Sequence, residues 1–115
     1  MHACSNCKEM EAKVWSRPEV LKRLREEYII IALYTDDKTK LPESEWITSD
    51  FDGKVKKTLG KKNLDIQITS FNTNTQPYYA LVDPDGNPLA APRGHNLDAT
   101  AFSEWLDSGL IQFRN

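Results

Sequence analysis

Apolar residues recur at helical spacing in the first part of the chain. Met10 and Val14 follow Cys7 at steps of three and four, with Lys8, Glu9 and Lys13 on the opposite face. Arg17-Pro18 interrupts this helix, because proline lacks an amide donor and disfavours helix at the residue before it. Ser16 is placed to cap a second helix with Pro18 in its first turn. Val20, Leu21, Leu24 and Tyr28 form that helix's apolar stripe, and Lys22, Arg23, Arg25 and Glu26 its wet face. The spacing then changes. Residues 28–35 are almost all β-branched, aromatic or aliphatic, which predicts a strand buried on both faces and ended by Asp36-Asp37.

Residues 36–62 read as a surface insertion, with a small hairpin around Asp52-Gly53, a tight-turn pair. Leu64, Ile68 and Phe71 predict a helix over 63–71. Residues 78–82 form an apolar strand, 83–87 a turn and 88–91 a short return strand, together a hairpin. Asn96 or Asp98 caps a last helix, whose stripe is Phe102, Trp105, Leu106 and Leu110, with Gly109 as its expected stop.

The chain has 115 residues, 39% hydrophobic and 28% charged, which fits one soluble globular domain spanning 1–115. Its net charge of −2 provides no basic field for nucleic acid or an anionic membrane. No apolar run approaches the ~18–20 residues of a membrane helix. Lys54, Lys56, Lys57, Lys61 and Lys62 cluster, and read as a solvated edge that blocks strand pairing. The opening residues carry no secretory-signal pattern, so the protein is either cytosolic or begins after its targeting region.

Both cysteines fall within the first seven positions, as Cys4-Ser5-Asn6-Cys7 ahead of the first helix. Free amides and the dipole at a helix start favour a thiolate, the form that attacks disulfides. Cys4 is therefore the expected nucleophile and Cys7 the thiol that resolves the mixed disulfide. A zinc site needs four ligands, and here only His2 and His95 stand available to complete one. A structural bridge across three residues closes almost no loop and stabilises little. Glu11 shares a helical face with Cys7 and borders the apolar stripe, where partial desolvation would suit it to exchange protons with Cys7; its alternative is an exposed partner of Lys8. His2 as imidazolium would favour a Cys4 thiolate. Pro77 opens the 78–82 strand, where its missing donor is tolerated.

Cys4-Ser5-Asn6-Cys7-Lys8-Glu9-Met10-Glu11, the Asp36-Asp37-Lys38-Thr39-Lys40-Leu41-Pro42 segment and Asn74-Thr75-Gln76-Pro77-Tyr78-Tyr79 together resemble thioredoxin-like proteins. Within them the chain is most similar to the C-terminal domain of the DsbD thiol:disulfide interchange family in its Bacteroides-type form, over residues 3–112. The resemblance implies an α/β thioredoxin-like fold, a mixed sheet flanked by helices. It implies a Cys4/Cys7 redox pair, with Glu11 as the acidic residue one turn beyond. It also implies a cis-proline at Pro77 facing the pair, and Gln76 as the residue whose backbone contacts substrate. No cofactor or metal is implied. Electrons would come from a transmembrane domain of the same full-length protein and pass to periplasmic disulfide-bearing proteins, which makes this a periplasmic domain of an inner-membrane protein. A non-catalytic interaction module with structural or zinc-binding cysteines is the alternative. In such proteins a central strand runs directly into the CxxC helix, yet only Met1-His2-Ala3 precede Cys4. The expectation is a domain cut just short of that strand, with exposed strand edges that favour dimerisation.

Overall fold

A computed structural model describes residues 4–115; His2 lies outside them, and so does its expected effect on Cys4. The described chain forms two compact units, one of residues 31–74 and one of residues 4–30 with 75–115.

The second unit holds the apolar core. Helix α1 (Ser5–Met10) continues into a π-helical turn, Glu11–Trp15, and helix α2 follows at Pro18–Glu26. Met10, Val14 and Val20 are fully buried, and Leu24, Leu81, Phe102 and Leu106 complete the core, so the helical spacings read from the sequence mark its lining. Ser16 does not cap α2. Its hydroxyl donates to the Ala12 carbonyl at 2.6 Å, closing the preceding turn, and Arg17 occupies the cap position with Pro18 behind it.

The last helix, α4, spans Ala99–Arg114 and is capped by Asp98, whose carboxylate accepts the Ala101 N–H at 3.0 Å. Gly109 does not end it. A methyl group on Gly109 would lie 2.6 Å from Leu81 Cδ1 and 2.9 Å from the Tyr28 hydroxyl, so glycine is there for close approach. Tyr28 in turn donates to the Leu106 carbonyl. Arg23 of α2 grips Asp107 of α4 through two hydrogen bonds, of 2.7 and 3.1 Å. These hydrogen bonds hold the Asp107 carboxyl below the usual carboxylate range. Its contribution to stability is therefore complete above the unfolded-state pKa of about 3.9 and is lost as pH falls through the lower folded value. Asp107→Asn is expected to destabilise the protein at neutral pH, with the gap from wild type closing in denaturant titrations as pH falls below the unfolded-state value of about 3.9.

The hairpin expected over 78–91 reaches on to Arg93 and is reduced to the bridges Val82↔Pro88 and Tyr79↔Arg93. Pro88 and Pro92 have no amide to donate, and between them the Leu89 N–H donates to the Leu81 carbonyl at 2.8 Å. The Trp105 indole donates to the Ala91 carbonyl at 2.7 Å, which ties the interrupted stretch to α4. The turn is built on Asp83, whose carboxylate accepts the Asp85 and Asn87 N–H groups, each at 2.9 Å, while Gly86 takes φ 86°.

In the first unit, β1 (Ile47–Thr48) and β2 (Val55–Lys56) pair antiparallel around Gly53, which has φ 72°. Helix α3, at Leu59–Phe71, begins four residues earlier than its apolar spacing suggests. Thr58 caps it through the Lys61 N–H, and Gly60 allows its backbone to approach residues 35–37: a methyl group there would meet the Asp37 carbonyl oxygen at 2.5 Å. The buried side chains of this helix are polar. Asn63 donates to the Tyr34 carbonyl at 2.8 Å, and Asp65 accepts from the Ser49 hydroxyl. Lysines of the basic cluster have local partners: Lys56 pairs with Asp52 and Lys57 lies over the Trp46 ring.

The buried strand expected over 28–35 is not observed. Residues 28–34 form no ladder, and Ile29 and Ile31 are 92% and 77% exposed. β-branched residues favour an extended chain, but a strand needs a neighbour to complete its hydrogen bonds, and no described segment lies in register beside this one.

Candidate active site

Cys4 occupies the N-cap of α1, and its Sγ accepts the Cys7 N–H at 3.2 Å. Cys4 and Cys7 are joined as a disulfide with Cα atoms 5.3 Å apart, and both are partly exposed. A helix start places residues three apart on one turn, so the motif's spacing closes this bridge without rearranging the helix. The same Cys7 amide remains available to the Cys4 sulfur once the bridge is reduced, and a hydrogen bond to the charged form favours the thiolate.

Gln76 and Pro77 lie in the same unit as the cysteines, joined by a cis peptide bond, with Pro77 buried. Two contacts connect their strand to the CxxC helix. Tyr79 packs on Trp15 of the π turn, ring centroids 5.8 Å apart, and meets Phe102 edge-on at 5.5 Å. His95 Nε2 stands 2.7 Å from Glu9 Oε1, two residues beyond Cys7. His95 follows Gly94, and a methyl group on Gly94 would lie 3.6 Å from the Pro77 carbonyl oxygen.

Glu11 is exposed, contrary to the expected desolvation. It sits in the π turn, whose wider winding leaves the side chain at the surface while Met10 and Val14 face the core. Burial, with the Glu11 charge adding to it, pushes the Tyr79 phenol up to about 12, so this hydroxyl stays protonated. Sequence reading missed the Glu9–His95 and Trp15–Tyr79 contacts. His95 stood out only as a candidate zinc ligand, yet it is engaged with Glu9. Among the described residues no group of three or more His, Cys, Asp and Glu side chains is placed to hold a metal ion.

A partly exposed Cys-x-x-Cys disulfide at a helix start, on an α/β scaffold, defines a thiol–disulfide redox site. The thioredoxin-like domain model matches residues 1–110, and the chain belongs to that family. Comparison with curated proteins finds no match.

Proposed function

We propose that this domain is a thiol–disulfide interchange module of the DsbD kind, which passes electrons from a transmembrane domain of its full-length protein to periplasmic disulfide-bearing proteins. The observation that carries the reading is the Cys4 sulfur, at once bonded to Cys7 and hydrogen-bonded by the Cys7 amide. In the reduced domain the Cys4 thiolate attacks a partner disulfide, forming a Cys4–partner bond and releasing one partner thiolate. Cys7, as thiolate, then attacks the Cys4 sulfur, re-forms the Cys4–Cys7 bond and releases the second. The partner gains two electrons and two protons, and a donor dithiol restores the domain by the reverse exchange. Gln76 and Pro77 are the proposed substrate-contacting segment, and Glu11, at the surface one turn beyond Cys7, is the proposed proton-exchanging carboxylate. Among the described residues no helix is long and apolar enough to cross a membrane.

Thiol labelling before and after treatment with dithiothreitol tests the core of it. Two thiols gained, with a defined midpoint in a glutathione titration, are expected. Stoichiometric zinc in the reduced protein, or a bridge inert to exchange, would overturn the reading.

A second copy of this chain is the proposed partner of the exposed 29–33 segment. Ile29, Ile30, Ile31 and Leu33 are 52–92% exposed, and no hydrogen bond joins the backbone of these residues to another described residue. Two such segments related by a two-fold axis pair antiparallel and satisfy one edge of each. Light scattering after size exclusion is expected to show a dimer that Ile31→Lys converts to monomer; a monomer at every concentration sinks this pairing.

A further inference from the structure

We infer that His95 is a positioning residue for disulfide exchange, acting through Glu9 as a latch between the CxxC helix and the Gln76–Pro77 segment. This rests on the interchange reading above. Three observations converge on it. First, His95 and Glu9 are 86 residues apart in sequence, yet their side chains meet at 2.7 Å. Second, the stretch that carries His95 is fixed to the proline strand by backbone: Tyr79 and Arg93 exchange hydrogen bonds of 2.7 and 3.0 Å, and Gly94 borders the Pro77 carbonyl. Third, Glu9 is fixed from its own helix, because its other oxygen accepts from Lys13 Nζ at 3.2 Å. The imidazole is thus a side-chain tie from a strand end anchored beside Pro77 to a carboxylate anchored beside Cys7.

A protein disulfide must touch both elements at once, since its sulfur meets Cys4 while its chain lies along the proline segment. A small aromatic disulfide needs only Cys4. Correct relative placement is what such a tie supplies, and misplacement of two binding elements costs far more with the larger substrate. The His95–Glu9 bond also offsets part of the Glu9 charge near Cys7, together with Lys13. Hydrogen bonding to His95 and then to Lys13 holds the Glu9 carboxyl below its ordinary range.

The test compares two substrates on the reduced protein: insulin, as a folded disulfide, and dithiobis(nitrobenzoate), as a small one. His95→Ala is expected to lower the ratio of the insulin rate to the small-disulfide rate by about tenfold. His95→Gln keeps a donor and is expected to restore the ratio to within about threefold. Glu9→Ala should match His95→Ala, and the double variant should be no worse than either, as for two members of one contact. An unchanged ratio in His95→Ala with both substrates still reduced overturns the latch. A fall in both rates alike, without rescue by glutamine, marks His95 as merely structural and overturns it too. If the wild-type protein reduces neither substrate, it is the interchange reading that fails.

Discussion

Cys7→Ala is expected to accumulate a mixed disulfide through Cys4, visible as a dithiothreitol-sensitive adduct on non-reducing gels and by intact mass. With the resolving thiol gone, the first exchange step has no intramolecular exit, and release must wait for an external thiol. Cys4→Ala should give no adduct and lose essentially all exchange, because Cys7 lies a full turn into the helix and lacks the cap position. The asymmetry follows from one hydrogen bond: the Cys7 amide points at the Cys4 sulfur, and that amide survives in Cys7→Ala because it belongs to the backbone. Equal trapping by the two single variants, or trapping through Cys7 alone, would reverse the roles assigned to the cysteines.

Phe102→Ala is the substitution expected to cost most in stability, about 3–5 kcal/mol. Phe102 is 2% exposed and sits between Tyr79, edge-on at 5.5 Å, and Trp105 at 5.3 Å. Truncation removes the ring's burial and leaves a cavity that neighbouring helices only partly fill. A domain of this size has about 5–15 kcal/mol in total, so the variant should melt far below wild type or fail to fold. Loss of the ring also frees one face of Tyr79, which packs on Trp15 of the segment that continues the CxxC helix. Urea titration followed by tryptophan fluorescence measures the loss. Phe113→Ala, on the exposed end of the same helix at 55% exposure, should change stability by no more than about 0.5 kcal/mol. A Phe102→Ala loss below about 1 kcal/mol would show that the core is not centred where these contacts place it.

Legibility along the chain tracked the range of the interaction. The apolar spacings of Met10, Val14, Val20, Leu24, Phe102 and Leu106 identified buried positions, because one amphipathic helix face reports its own partner surface. The Asp83 turn and the Asp98 cap were readable for the same reason: each rests on a side chain bonding its neighbours two to four residues on. Glu11 shows the limit of such reading. Helical spacing put it at the border of the core, but the π turn rotates it outward, and only the wound backbone reveals that. Gly109 is similar, since a glycine near a helix end resembles a stop until the Leu81 and Tyr28 side chains are seen pressed against it.

By itself, then, the order of residues determined the Cys4–Cys7 bridge, because the separation of Cys4 and Cys7 is one helical turn and the cap hydrogen bond closes within it. It also determined the family, carried by motifs short enough to survive as strings. Tertiary structure alone decided two further matters. Residues 29–33, composed like a buried strand, lie open, since a ladder depends on a neighbour that local composition cannot supply. And Glu9 meets His95 across nearly the whole chain, a contact set by how helix and hairpin pack rather than by any spacing in the sequence.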